Sequence, residues 1–172
     1  DAANSGIEVS QLCPTAQSTC VGGSFPGVQV YTYVGTVTLQ PGCGTYSMSY
    51  DDCCRNPSNN IVNPTAQGFR VTATLNSNLV ACNTAPQFTS SPIPYFCLNQ
   101  PVNYSHGAID ADGDSLVYSL IAPLDDLGGN VPYVAPYTPT SPMPTASGFN
   151  FDAATGQMTF TPTQQGVYVV DV

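Results

Sequence analysis

The chain has 172 residues, with eleven acids against two arginines, no lysine, and a net charge of −9. That balance repels phosphate, which argues against nucleic acid and anionic membrane as partners, and the missing lysine removes Schiff-base chemistry. Hydrophobic residues make up 42% and charged residues only 8%, a profile that predicts an all-β protein with many turns and an uncharged polar exterior.

In chain order, DAANSGIEVS lacks the basic start and apolar middle of a signal peptide, so any export signal is expected to be removed or to lie outside this sequence. Ile7 and Val9 alternate in IEVSQL, the first strand-like stretch. Val28 to Leu39, VQVYTYVGTVTL, is a long β-branched run with apolar residues on both faces. Tyr46, Met48 and Tyr50 alternate with serines in TYSMSY, and Phe69, Val71, Ala73 and Leu75 alternate with Arg70, Thr72 and Thr74 in GFRVTATL. GGSFPG, QPGCG and RNPSNN are turn chemistry between them.

Around residue 83 the pattern breaks, and Pro86, Pro92 and Pro94 predict a stiff connector. The expected domains are therefore 1–83, a disulfide-rich β-sandwich, and 84–172, a second β-sandwich. The second half offers LVYSLI at 116–121, QMTFT at 157–161 and VYVVDV at 167–172, and FDAATGQMTF predicts a hairpin turning at Gly156. A long loop with six prolines separates Ala122 from Gly148. A loop of that length is functional or pinned to a neighbour, and Tyr133 and Tyr137 within it are candidates to stack on sugars or on a neighbouring subunit. Few strands in the first half, and a chain that stops within a strand-like run, imply that part of the fold or a partner strand lies elsewhere. An uncovered edge of that kind is a template for strand addition.

Seven cysteines, Cys13, Cys20, Cys43, Cys53, Cys54, Cys82 and Cys97, lack CxxC pairs, and the single histidine, His106, stands apart from most of them. A disulfide framework in an oxidising compartment is the expectation rather than a thiolate metal site. The odd count leaves one residue over, and about 105 pairings are open. If Cys53 and Cys54 continue the TYSMSY strand, their side chains point to opposite faces, which predicts two separate bridges rather than a vicinal one.

AIDADGDSLVYSL, residues 108–120, carries the main candidate chemistry. Asp110, Asp112 and Asp114 sit at alternate positions around Gly113. Carboxylates so placed suit a calcium loop, or an Asx-type turn in which the aspartates hold backbone amides. Flanking helices and a glutamate at the twelfth position are absent, which excludes an EF-hand. A two-carboxylate hydrolase is disfavoured because it needs one carboxyl in an apolar pocket, and aspartates in a glycine-containing turn are solvated. A Ser–His–Asp triad around His106 is disfavoured because no GxSxG elbow occurs. Asn103-Tyr-Ser is a sugar-acceptor sequon, and Ser115 is a second candidate attachment point.

Four stretches carry a resemblance: VSQLCPTAQSTCVGG, PGVQVYTYVGTVTL, SYDDCCRN, and CNTAPQF through AIDADGDSLVYSLIAPL. Together they resemble the large secreted surface proteins of gliding and other Bacteroidota-type bacteria, which are exported by the type IX system and often carry PKD or gliding-motility-associated domains. NTAPQF followed by AIDADGDSL is similar to cadherin-like modules, and that similarity implies Asp110 and Asp112 as calcium ligands, with Asn83 near the linker. Asp114 falls where cadherins usually have other residues and is a candidate ligand from the DADGD pattern alone. FNFDAATGQMTFTPTQQGVYVVDV looks like the closing strands of Ig-like modules of bacterial adhesins. The same bacteria glycosylate Asp-Ser/Thr-apolar sites, which implies Ser115.

The sequence therefore predicts two tandem, disulfide-bonded Ig-like or cadherin-like β-sandwiches from an extracellular bacterial surface protein. The expected role is non-catalytic, structural and adhesive, extending to the building unit of a filament. Expected partners are other copies or domains of the same protein, and glycans or host or prey surfaces. The rival expectation is a carbohydrate-binding or glycan-degrading module.

Overall fold

The computed structural model describes residues 6–40, 44–79, 82–90 and 94–172. The chain is all-β, and the helical content among these residues is two three-residue 3-10 turns, Thr19–Val21 and Pro64–Ala66. The strands are β1 (Ile7–Glu8), β2 (Gln29–Val30), β3 (Thr45–Cys53), β4 (Gly68–Asn76), β5 (Gln87–Phe88), β6 (Val102–Ser105), β7 (Ala108–Ile109), β8 (Asn150–Phe151) and β9 (Gln157–Phe160). Two compact units emerge: Asp1–Gln40 with Ser91–Tyr95, and Pro41–Ser90 with Phe96–Val172. The expected boundary between residues 83 and 84 falls inside the second unit.

In the first unit β1 pairs antiparallel with β2, Ile7 opposite Val30 and Glu8 opposite Gln29. Ser18, only 1% exposed, caps the first 3-10 turn by accepting from the Cys20 amide at 3.1 Å. Gly22 closes that turn at φ 85°, a left-handed conformation that a residue with a Cβ adopts at a cost. The long strand expected over Val28–Leu39 is realised only at Gln29–Val30, and residues 31–40 enter no ladder. Alternation marks a segment that fits a sheet, but it does not supply the neighbour whose hydrogen bonds make one.

The second unit holds three sheets. β3 and β4 form a two-stranded antiparallel ribbon with nine paired positions, from Thr45 opposite Asn76 to Cys53 opposite Gly68. β5 pairs with β7, and β6, β9 and β8 form a three-stranded sheet in that order. The predicted hairpin at 150–160 is present. Its turn is tied by Asp152 Oδ1, which accepts from the amides of Ala154 at 2.8 Å and Thr155 at 3.1 Å, with Gly156 at φ 69°. Val102, Met158 and Phe160 of this sheet form the core cluster, packed by Tyr104, Met143, Phe149, Phe151 and Val170. The expected strands at 116–121 and 167–172 meet at a single bridge, Ile121 to Asp171.

A polar pin holds the irregular part of this unit. Asn60 is wholly buried; its side-chain amide donates to the carbonyls of Pro142 at 3.0 Å and Val169 at 2.8 Å, and its Oδ1 accepts from the Val169 amide at 2.9 Å. Its own carbonyl receives the Val134 amide at 2.9 Å. Asn59 beside it exchanges two bonds with Val167. Ile61 and Val131, at 2% and 1% exposure, fill the space next to the pin.

One expectation about sulfur is corrected, the two separate bridges for Cys53 and Cys54. The ladder ends at Cys53, so the alternation that would separate Cys53 from Cys54 does not continue, and the two are bonded to each other. Cys13, Cys20, Cys82 and Cys97 stand as free thiols, and Cys43 lies outside the described residues.

Asn60→Ala would orphan three backbone groups in a buried site. It is expected to lower stability by about 2–4 kcal/mol, read as a fall in the urea midpoint at unchanged slope. A midpoint within experimental error of the parent would show that the pin carries no weight.

Candidate functional site

The β3–β4 ribbon separates its chemistry by face. Because side chains alternate, Tyr46, Met48 and Tyr50 of β3 share one side with Phe69, Val71, Ala73 and Leu75 of β4. The opposite side carries Thr45, Ser47, Ser49, Thr72 and Thr74. Such a division normally places the apolar side against a core. Here the middle of that side is open, with Met48 50% exposed, Tyr50 49% and Val71 55%, while Tyr46, Phe69 and Leu75 are half-buried.

The ladder also fixes which amides point away from the ribbon. The Arg70 amide donates to the Leu124 carbonyl, outside the β3–β4 pairing, so Asp51 and Arg70 are a non-hydrogen-bonded pair. By alternation the N–H and C=O groups of Thr45, Ser47, Ser49 and Asp51 project from the outer edge of β3. No strand covers that edge among the described residues. At Cys53 the same edge is closed off, since its amide donates to Asp52 Oδ1 at 2.8 Å.

Both cations of the chain anchor the other edge. Arg55 donates from Nε to the Gly68 carbonyl at 3.0 Å and from Nη2 to the Leu124 carbonyl at 2.7 Å, with its guanidinium 5.8 Å from the Phe69 ring centre. Arg70 forms a two-pronged ion pair with Asp51 across the ribbon and donates from Nη2 to the Asp126 carbonyl at 2.6 Å. The Arg70 hydrogen bond holds the Asp51 carboxyl below its ordinary pKa, and the same bond raises that of Arg70. Sequence reasoning missed these roles, as it missed Asn60. The available signal was scarcity, since only two cations occur among eleven acids.

The acidic turn is a hydrogen-bonded structure. Asp110 Oδ1 accepts from the amides of Asp112 at 2.9 Å and Asp114 at 3.2 Å. Asp112 turns its carboxylate onto Thr84, accepting from its amide and from Oγ1 at 3.3 Å. Asn83 donates from Nδ2 to the Thr84 carbonyl at 3.3 Å. The turn and the 83–84 segment are thus brought together, and the Asp114 carboxylate and Asp110 Oδ2 carry no hydrogen bond among the described residues. No group of three or more His, Cys, Asp or Glu is gathered around one point among the described residues.

The remaining candidates are dispersed. Asn103 and Ser115 are both exposed, and Asn103 Oδ1 accepts from Thr159 Oγ1 at 3.1 Å. His106 lies edge-on to Tyr104 and Phe88, and burial lowers its pKa. Within the 122–148 loop Tyr133 bridges to Ile61, with a buried hydroxyl that meets no hydrogen-bond partner among the described residues. Burial and the nearby Asp171 push the Tyr133 hydroxyl up to about 12, while Arg55 opposes them. Burial likewise raises Asp171. Tyr137 packs edge-on against Tyr168 at 6.0 Å. These contacts pin the loop to its own unit.

No family model, curated protein or solved structure matches the chain. No helix of the described residues is long and apolar enough to cross a membrane. Its class is therefore given by its fold alone, an all-β protein of small sheets with a ribbon whose apolar side is open at its middle.

Proposed function

We propose that this chain is a non-catalytic structural and adhesive module of a secreted bacterial surface protein, built from Ig-like or cadherin-like units and serving as the repeating part of an extracellular filament. The observation that carries the reading is the β3–β4 ribbon, whose apolar side is open at its middle and whose outer edge is uncovered among the described residues. A patterned two-stranded ribbon is marginal by itself in water and gains stability when another strand or sheet covers it. The lysine-free exterior carries few charged side chains, so few must be desolvated where surfaces meet, while the net charge of −9 opposes contact elsewhere. The alternating strands, the hairpin at 150–160 and the resemblance read from the SYDDCCRN and AIDADGDSLVYSL stretches support the Ig-like assignment and the extracellular setting.

Calcium is a subsidiary proposal. The Asp114 carboxylate and Asp110 Oδ2 are the oxygens available to an ion at the acidic turn, and a bound cation would relieve the repulsion among three neighbouring carboxylates. A melting temperature that falls on chelation supports the ion, and superimposable curves remove it.

Sedimentation velocity over rising concentrations tests the filament reading. The expected result is concentration-dependent growth beyond the monomer, with elongated particles under the electron microscope. A species that stays monomeric at every concentration would contradict it.

A further inference from the structure

The open edge of β3 has a complement elsewhere on the same chain, and the two have matching patterns. Residues 33–39, YVGTVTL, follow β2 without entering any ladder. They are a strand-prone stretch left unpaired, since valine, threonine and tyrosine favour a pleated, half-buried setting. Tyr33 and Val37 are 72% and 77% exposed. On an extended backbone Tyr33, Gly35, Val37 and Leu39 fall on one side, and Val34, Thr36 and Thr38 on the other.

Apart from Val34, which is 92% exposed on the threonine side, this two-sidedness mirrors the ribbon. A strand laid along the outer edge of β3 sets Tyr33, Val37 and Leu39 beside Tyr46, Met48 and Tyr50, and its threonines beside Ser47 and Ser49. The lengths agree as well: seven residues in the segment, against the edge from Thr45 to Asp51 left open by the cap at Cys53. Neither stretch carries a charge apart from Asp51, which is already paired with Arg70. The repulsion expected between two chains of net charge −9 is therefore weakest at this joint.

We infer that residues 33–39 of one copy add as a strand to the outer edge of β3 in a second copy of this chain. The joint rests on the filament reading above and names its two halves. Donor and acceptor are different surfaces of one molecule, so the contact is head-to-tail and propagates into a filament wherever its rotation does not close a ring. Each joint gives the amides of Thr45, Ser47 and Ser49 strand partners and extends the apolar side of the ribbon from two strands to three.

Two proline variants test the inference, because each disables one half. Thr36→Pro removes a donor-strand amide. Ser49→Pro removes an amide that points away from β4, where proline is tolerated in an edge strand. Each variant alone is expected to sediment as a monomer. An equal mixture should yield a dimer of twice the 18.0 kDa chain mass and nothing larger, since the joined pair has one dead donor and one dead acceptor left. Circular dichroism checks that each variant folds, and Val37→Asp with Met48→Asp repeats the experiment where a proline is not tolerated.

Polymers that persist in both variants overturn the inference and leave the filament reading standing. A parent that is monomeric throughout overturns both. Monomeric variants whose mixture stays monomeric also overturn it.

Discussion

The side-chain amide of Asn60 is the contact on which the larger unit depends. One buried group engages residues 142 and 169 through its side chain and 134 through its carbonyl. Segments that form almost no ladder of their own are thereby held in place. The need for such a pin follows from how little is buried: Ile61, Val102, Val131, Met158 and Phe160 are the buried hydrophobics among the described residues. Where apolar burial is small, buried polar groups that are fully hydrogen-bonded must fix the chain's path, and each is costly to disturb. Arg55 and Arg70 serve similarly at the surface, tying the ribbon to the carbonyls of residues 124 and 126.

The strands that the sequence makes legible are those whose partner lies close along the chain or whose turn chemistry is explicit. TYSMSY and GFRVTATL pair with each other over their full length, and Asp152 with Gly156 makes the hairpin at 150–160 readable. VQVYTYVGTVTL, LVYSLI and VYVVDV carry equally strong patterns but little ladder, because pairing depends on a neighbour that periodicity does not name. The DADGD turn was legible as a set of Asx bonds, but its clasp on Thr84 joins residues 28 apart and left no local trace. The vicinal link between Cys53 and Cys54 departs from the alternation rule because the strand ends there. Asn60 was hidden for another reason. In RNPSNN it reads as a turn residue, and nothing local distinguishes a solvated asparagine from one whose side chain is buried against two distant carbonyls and an amide.

The ribbon and segment 33–39 share one physical condition: both are patterned for a sheet and neither is fully housed in one. Exposed apolar side chains that alternate along an edge are a hazard for a free monomer and a means of cohesion for an assembly. That links the composition to the proposed role. Abundant Thr and Ser make these two stretches water-compatible, and their scarcity of charge leaves little electrostatic opposition to contact at the joint itself.

Hydrogen exchange at individual backbone amides, followed as concentration rises, reads this joint most directly. The account predicts that the amides of Ser47 and Ser49 and those of residues 33–39 slow together, while the amides of β6 and β9 exchange at a constant rate. Exchange at both stretches that is fast at every concentration, or slow already in the dilute monomer, would contradict it.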